Sequence, residues 1–249
     1  MNTFTYLSLP AVSRRLLHRF ALVCITALAS FVLTGTAHAA DLDSLIKAVK
    51  FDDVKAVQKA LAHGVDPNAT DKQGTPLLVI AAREKSDNVA KALMADPKID
   101  LEKLDAAGEN AMMLAALNGD ADLVKALIDK GAEVNKKGWA PLHYAAANGH
   151  DDVVKMLLDE SAYIDAGSPN GTTPLMMAAR GNYLSTVKVL LDAGADSRVK
   201  NQLGLTALDF AKRYQAKDVI AGLQDMYARE AAAASSASAA SVPAGNGAK

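Results

Sequence analysis

The stretch Trp139–His150, WAPLHYAAANGH, contains the signals that decide the fold. Pro141 can begin a helix, because the first turn of a helix does not use the N–H that proline lacks. Small and apolar residues follow, and Gly149 supplies the left-handed conformation that commonly ends a helix. The amphipathic segment 151–158 begins directly after that turn. The stretch therefore predicts two short helices joined by a tight turn.

The same pattern recurs along the chain. A short segment that ends in leucine marks the second helix of each copy, and successive leucines lie 30 to 34 residues apart. These leucines are Leu61, Leu93, Leu127, Leu157, Leu190 and Leu223. Self-similarity at such a period is the signature of a solenoid, in which each unit buries its apolar face against its neighbours.

Each copy also carries cap and turn residues at matching places. Hydroxyl or amide side chains before the first helix predict N-caps at Thr75, Asn110, Thr173 and Thr206. Ala140 keeps the following proline but offers no such group. A left-handed turn between the helices is expected at Gly119, Gly149 and Asn182. The second helices are expected to end at Gly64, Gly131, Ser161 and Gly194.

These features resemble the ankyrin-repeat family, most clearly in the segments Pro141–Ala146 and Leu190–Asp196. The resemblance implies an all-α repeat fold, an ankyrin solenoid of about six helix–turn–helix repeats with β-hairpin fingers. The domain is expected over 40–227, with repeats at approximately 41–70, 71–104, 105–136, 137–167, 168–200 and 201–227. The finger between Asn135 and Trp139 is about three residues shorter than the others, so we expect it to be stubby.

The first 39 residues are predicted to be a signal peptide. Three arginines precede an apolar run over 20–34, and small residues at Ala37 and Ala39 fit a cleavage site after Ala39. An uncleaved membrane anchor is the alternative, and the general secretory route fits better than the twin-arginine route. The bacterial type of this signal favours the periplasm, with secretion as the second possibility. Cys24 is the single cysteine, so the mature chain would contain no disulfide.

Composition limits the partners of the mature chain. Removal of the signal leaves 24 basic and 28 acidic residues, which does not favour nucleic-acid or membrane-surface binding. We expect no membrane span after cleavage and a monomeric protein. Residues 228–249 are rich in alanine and serine, and are predicted to form a flexible tail, with the alternative that the alanines extend the last helix by a turn or two.

No pattern in the sequence favours catalysis, a cofactor or a metal site. His63, His143 and His150 occupy repeat positions where a structural role is expected, and they do not recur at metal-ligand spacing. No serine lies in a nucleophile motif. Met112, Met113, Met176 and Met177 are interpreted as core of the first helices rather than as a binding surface. We therefore expect a protein that is not an enzyme.

The family resemblance implies that partners bind the concave face, at the finger tips and on the exposed side of the first helices. The predicted protein-binding residues are Trp139, Tyr144, Leu117, Met177, Arg180, Arg213, Glu109 and Thr172. Equivalent positions add Lys72, Gln73, Val79, Arg83, Ala107, Leu114, Lys137, Ala147, Asn170, Leu203, Leu205 and Phe210. Trp139 is the only tryptophan, and its alternative role is to fold over the shortened finger and fill space there.

The sequence therefore favours a non-catalytic protein–protein interaction scaffold acting in the periplasm. The alternatives are a secreted effector that binds a host protein and an accessory factor for periplasmic peroxide or stress defence. The second alternative rests on the resemblance to exported proteins with a few ankyrin repeats, and no residue of this chain tests it.

Overall fold

The computed structural model describes residues 42–240, with side chains to residue 236. The predicted signal peptide, 1–39, and the end of the predicted tail, 241–249, lie outside the described residues. Contacts divide the chain into two units, 1–47 and 48–249. In the first unit only 42–47 is described, and it is helical.

Within 42–240 the chain forms twelve helices and no strand. The helices are α1 (42–50), α2 (Val54–Ala62), α3 (Leu77–Glu84), α4 (Asp87–Met94), α5 (Ala111–Asn118), α6 (Ala121–Asp129), α7 (Pro141–Asn148), α8 (Asp151–Asp159), α9 (Pro174–Arg180), α10 (Leu184–Asp192), α11 (Ala207–Arg213) and α12 (Lys217–Ala240). From α3 onward, an odd-numbered helix and the even-numbered helix after it form one repeat. The predicted helix pairs are confirmed.

The repeats stack as an all-α solenoid. The first helices pack in the order α3, α5, α7, α9, α11, and the second helices pack in the order α2, α4, α6, α8, α10, α12. Alanine pairs in the first helices are completely buried, which lets neighbouring backbones approach closely. These pairs are Ala115–Ala116, Ala145–Ala146 and Ala178–Ala179. The repeating leucines of α4, α6, α8, α10 and α12 are also buried, so the predicted core is confirmed.

Three of the four predicted side-chain caps form. Backbone N–H groups donate to Asn110 at 3.0 Å, to Thr173 at 3.4 Å and to Thr206 at 3.3 Å. The prediction for Thr75 is wrong, because α3 begins at Leu77 and Pro76 takes the N-cap place. Thr75 directly follows the finger glycine Gly74, whereas Glu109 stands between the finger glycine Gly108 and the capping residue Asn110. Thr75 therefore belongs to the finger, where its N–H donates to Asp71 at 2.8 Å.

The predicted left-handed turns are confirmed. Gly119, Gly149 and Asn182 have φ angles of 67°, 75° and 60° between the paired helices. Three other residues adopt the same conformation at matching turns without a glycine or asparagine, and were not predicted: Asp52, Lys85 and Gln215. The residues expected to end the second helices also have positive φ, at Gly64, Gly131, Ser161 and Gly194.

The fingers are turns rather than β-hairpins. A single isolated bridge, between Thr70 and Pro76, is found within the described residues, so the prediction of hairpin strands is wrong. Aspartate or asparagine side chains add to the few backbone hydrogen bonds of these fingers by accepting two backbone N–H groups in the same loop. The Asp71 carboxylate, for example, accepts from Gln73 at 2.9 Å and from Thr75 at 2.8 Å. Such local bonding is the usual reason for these residue types in turns.

The finger of the fourth repeat is short, as predicted. Asn135 binds Ser161 and Tyr163 of the next repeat at 2.9 and 2.8 Å, as Asn68 binds Lys98 and Asp100. Gly138 follows Asn135 after three positions, whereas six positions separate Gly74 from Asn68. A backbone hydrogen bond closes the other fingers, for example from Ser168 to Thr172, but none is present over 133–139.

The predicted flexible tail begins too early. Helix α12 continues to Ala240, so residues 228–240 are helical. Alanine has the highest helix propensity, and ion pairs hold the start of this extension. Arg229 pairs with Asp225 one turn earlier, and Glu230 pairs with Arg198 at 2.7 Å. The sequence interpretation gave too little weight to an alanine run that continues an already anchored helix.

Replacement of Gly149 by alanine is expected to destabilise the protein more than replacement of Gly131. Both glycines have positive φ, but a Cβ atom on Gly149 would lie 2.4 Å from the Tyr183 ring, whereas Gly131 faces open space. We expect a loss of about 1 kcal/mol for Gly131→Ala and roughly 3 kcal/mol for Gly149→Ala in urea unfolding, since the second variant adds overpacking to backbone strain. Equal losses would contradict this account.

Asp87 lies beside Asp120 at the start of α4 and α6. Burial raises the pKa of Asp87 to about 6, and the hydrogen bond and the charge of Asp120 act in the same direction. The folded state therefore holds a proton on Asp87 at pH values where the unfolded chain has released it. Ionisation of Asp87 reduces stability as the pH rises from about 4 to 6.

We therefore expect Asp87→Asn to stabilise the protein near pH 7.5 and to have no such effect below about pH 4. The gain should be about 1 kcal/mol, because partial solvent access reduces the full electrostatic cost. Urea unfolding at both pH values measures it, with Asp122→Asn on the exposed side of α6 as a control for charge removal. A gain independent of pH would contradict the proposed protonation.

Candidate protein-binding surface

Seven of the eight predicted protein-binding residues, all but Glu109, line two adjoining hollows. The equivalent positions that line neither hollow are Lys72, Gln73, Val79, Arg83, Ala107, Leu114 and Lys137. The first hollow has a volume of about 200 Å³ and is lined by Leu117, Trp139, His143, Tyr144, Ala147 and Met177. The second, of about 300 Å³, includes Trp139, Met177, Thr172, Arg180 and Arg213 in its lining. Trp139 and Met177 belong to both hollows, so the two form one surface. We call it the Trp139 surface.

The repeat period explains how these residues meet. Leu117, Ala147, Arg180 and Arg213 lie at or near the ends of the first helices α5, α7, α9 and α11. Tyr144, Met177 and Phe210 each lie three residues earlier in their own helices. Because neighbouring first helices pack roughly 8–10 Å apart, these positions form two parallel rows on one face.

Trp139 packs against neighbouring rings and is also partly exposed to solvent. Its ring lies edge-on to His143 at 5.3 Å and to Tyr144 at 6.3 Å between ring centroids, and the residue is 36% exposed. Such edge-to-face pairs are favoured by the charge distribution of aromatic rings. Trp139 thus fills space above the shortened finger, as the alternative interpretation expected, and also presents an aromatic surface to solvent.

His143 supports Trp139 from below. It is fully buried, and its Nδ1 accepts the N–H of Ala140 at 3.1 Å. The proton must then lie on Nε2, which donates to the carbonyl of Thr172 at 3.0 Å. Burial lowers the pKa of His143, which favours this neutral form. The imidazole satisfies the N–H of Ala140 at the start of α7 and links the fourth repeat to the fifth, so its predicted structural role is confirmed.

The other two histidines also make structural contacts. His150 donates from Nε2 to the carbonyl of Leu117 in the preceding repeat at 3.0 Å. His63 bonds through Nδ1 to the carbonyl of Lys59 one turn earlier, at 2.6 Å. Both contacts go to carbonyl groups near helix ends, where backbone partners are fewest.

Tyr144 is fixed by Glu109 of the preceding repeat. Its hydroxyl donates to the Glu109 carboxylate at 3.1 Å. Burial, together with the negative charge of Glu109, raises the pKa of Tyr144, so the phenol stays protonated. Glu109 therefore acts on the surface by orienting Tyr144, and its carboxylate is already engaged.

The structure corrects three predicted contacts. Thr172 is 3% exposed, because its carbonyl and hydroxyl groups bind His143 and Asn201. It supports the Trp139 surface and leaves almost no side chain for a partner. Val79 and Leu114 are buried in the core. The position of a residue within the repeat therefore does not by itself decide whether its side chain is exposed.

The methionines fall into two groups. Met112, Met113 and Met176 are buried core residues, as predicted. Met177 differs from this prediction, since it is only partly buried and lines both hollows. Its exposure agrees instead with its inclusion among the contact residues.

Tyr214 was not predicted. It is 48% exposed in the turn after α11, stacks on Phe210 at 6.3 Å and lies beneath the guanidinium of Arg180 at 5.0 Å. The last contact gives a cation–π interaction that fixes Arg180. The sequence offered one signal, an aromatic residue that directly follows Arg213, the last position that the family resemblance identified.

The second hollow has an unbalanced positive charge. Arg180 and Arg213 are exposed, and within residues 42–236 neither forms an ion pair with a carboxylate. Arg83, in the corresponding place of the second repeat, is paired with Asp105 at 2.6 Å. The two unpaired arginines therefore distinguish this end of the row from its beginning.

A groove with a larger volume than either hollow, about 530 Å³, lies between α10 and α12. Leu184, Leu191 and Met226 contribute apolar surface, and the rim cation Arg229 is already paired with Asp225. None of the predicted contact residues lines it.

Two negative observations concern the described residues alone. Over 42–240, no group of three or more histidine, cysteine or acidic side chains is arranged to hold a metal ion. No helix in that range is both long and apolar enough to cross a membrane.

Three known proteins share part of this sequence. Palmitoyltransferase AKR1 of Lachancea kluyveri is 33% identical over 105 residues, which cover 39% of this chain and 14% of that protein. Alpha-latrocrustotoxin-Lt1a and alpha-latroinsectotoxin-Lt1a of Latrodectus tredecimguttatus are 36% and 33% identical over 91 residues, 36% of this chain and 6% of each toxin. The chain thus spans a small part of each relative.

Family comparisons cover much more of the chain. A description of ankyrin repeats in three copies matches residues 45–136 and 78–168, and one of ankyrin repeats in many copies matches 163–211. Together these matches extend over 45–211, about two thirds of the chain. The chain belongs to the ankyrin-repeat family.

Proposed function

We propose that this protein is a non-catalytic scaffold that recognises another protein through the Trp139 surface. The observation that supports this most strongly is the position of Trp139, which stands 36% exposed over an apolar hollow at the shortened finger. Aromatic and arginine side chains around an apolar centre have the composition of interface hot spots. Ankyrin repeats in general act as protein-interaction modules, which supports the same conclusion.

Several side chains of the Trp139 surface are already held in place by their neighbours. Trp139 is held by two aromatic neighbours, Tyr144 by Glu109, and Arg180 by Tyr214. Side chains that are already ordered lose less conformational entropy on association. The palmitoyltransferase activity named for one relative is not part of the proposal, because the chain matches only 14% of that protein.

The proposed location is the periplasm, on the strength of the basic, apolar and small-residue segments within 1–39. A secreted effector would use the same surface outside the cell, and a stress-defence factor would use it in the periplasm. Both remain variants of the scaffold proposal, since they differ in destination or partner rather than in the binding residues.

Trp139→Ala is expected to reduce recovery of the partner at least tenfold in affinity capture from a periplasmic extract, because it removes the central aromatic contact. Phe51→Ala is the matched control, since Phe51 is an exposed aromatic, at 83%, outside both hollows. Thermal unfolding should show that both variants remain folded. Equal recovery by the wild-type protein and Trp139→Ala would refute the Trp139 surface as the binding site.

Cleavage and location are tested together by cell fractionation and amino-terminal sequencing. The expected result is a mature chain that begins at Ala40 and is recovered in the periplasmic fraction. Recovery in the culture medium would favour the effector, and a chain that retains Met1 in the membrane would favour the uncleaved anchor.

A further inference from the structure

The two hollows of the Trp139 surface differ in chemistry, and this difference defines a partner more closely. The first is lined by aromatic and aliphatic side chains, including Leu117, Trp139 and Met177. The second adds the guanidinium groups of Arg180 and Arg213 to a lining that contains Phe210 and Tyr214. The inference about this partner rests on the proposed function, because the partner must occupy the Trp139 surface.

The arginines are available to a ligand. Arg180 is exposed and lies over the face of Tyr214, with its Cζ 5.0 Å from the ring centroid, and it forms no ion pair among the described side chains. Arg213 lies 33 positions later, at the matching place in the next repeat. Guanidinium groups bind carboxylates through two parallel hydrogen bonds, which is a stronger arrangement than a single contact to lysine.

Nearby carboxylates of the chain are already engaged. The Asp209 carboxylate accepts from the N–H of Thr206 at 2.9 Å and from its hydroxyl at 2.7 Å. Asp218 accepts from the side chain of Asn182 at 2.8 Å. Glu109 is bound to Tyr144. Among the residues whose side chains are described, these carboxylates are held by other donors, and neither Arg180 nor Arg213 forms an ion pair.

We propose that the Trp139 surface binds a protein segment in which an acidic side chain lies near an apolar one. The aspartate or glutamate binds Arg180 and Arg213, and a leucine, methionine or phenylalanine enters the first hollow. Because the hollows belong to neighbouring repeats, the two partner groups lie about 10 Å apart, the distance covered by three residues of an extended chain.

The proposed occupant is a segment of another protein that carries an acidic side chain. A carboxylate also fits better than a phosphate, because Phe210 and Leu205 limit hydration in the second hollow and a dianion loses more hydration energy there.

The inference can be tested with displayed random twelve-residue peptides that lack tryptophan, selected on the mature chain. We expect enrichment of sequences with an acidic residue about three positions from a large apolar one. An enriched peptide is then synthesised with its acidic residue intact, replaced by glutamine or lysine, and in a phosphoserine form. Since Trp139 is the only tryptophan, its fluorescence reports binding directly.

Arg213→Ala should weaken binding of the acidic peptide roughly tenfold or more, because a charge-assisted hydrogen bond is lost. Lys212→Ala is the matched control, since Lys212 is exposed on the same helix but lines neither hollow, and it should change affinity less than about twofold. The double variant Arg180→Glu, Arg213→Glu should prefer the lysine peptide. Higher salt should weaken the wild-type complex.

Several outcomes would overturn the inference. These are enrichment of apolar peptides without acidic residues, tighter binding of the phosphoserine form, equal effects of the two alanine variants, or no enriched peptide at all. If enriched peptides lack acidic residues but still depend on Trp139, the proposed function stands and only the partner chemistry is wrong. If binding is unaffected by Trp139→Ala, read by fluorescence of a labelled peptide, the proposed function fails too.

Discussion

Burial between neighbouring repeats is the constraint on which this structure depends. The paired helices from α2 to α11 contain seven to nine residues each, too few for stable isolated helices in water. Their stability comes from apolar faces that only a neighbouring repeat can cover. The alanine pairs of α5, α7 and α9 are completely buried for this reason, and each repeat contributes half of an interface on both of its sides.

Polar side chains then fix the register that apolar packing leaves undetermined. Asn118 donates to the carbonyl of Ala82, Asn148 to that of Leu117, and Asn135 to that of Ser161. These bonds join repeats across 26 to 36 residues of sequence and satisfy backbone groups at helix ends and turns. Because Asn135 retains its links, the fourth repeat can lose part of its finger and still stack in register.

The sequence predicted those features that depend on local chemistry, repeated at a regular period. The helix pairs, the turn at Gly149 and the short fourth finger are of this kind. Thr75 and Pro76 have the Thr-Pro pattern of a helix start, but Thr75 directly follows Gly74 and lies in the finger. Only the register of the folded loop reveals this. The burial of Thr172 and the contact of Tyr214 with Arg180 involve side chains about 30 residues apart, and no local pattern contains them.

The shortened finger accounts for the packing of Trp139 and for the exposure on which its proposed role in recognition rests. A full finger is closed by its own hydrogen bonds, as at Ser168 and Thr172, and the fourth finger lacks this closure. Trp139 covers the resulting gap by packing on His143, whose Nε2 ties the fourth repeat to the fifth while Nδ1 accepts the N–H of Ala140 in its own repeat. The same packing orders the exposed face of the indole before any partner arrives. In the proposed function one contact therefore serves both stability and binding, because the ring that fills the gap is also the ring proposed to meet the partner.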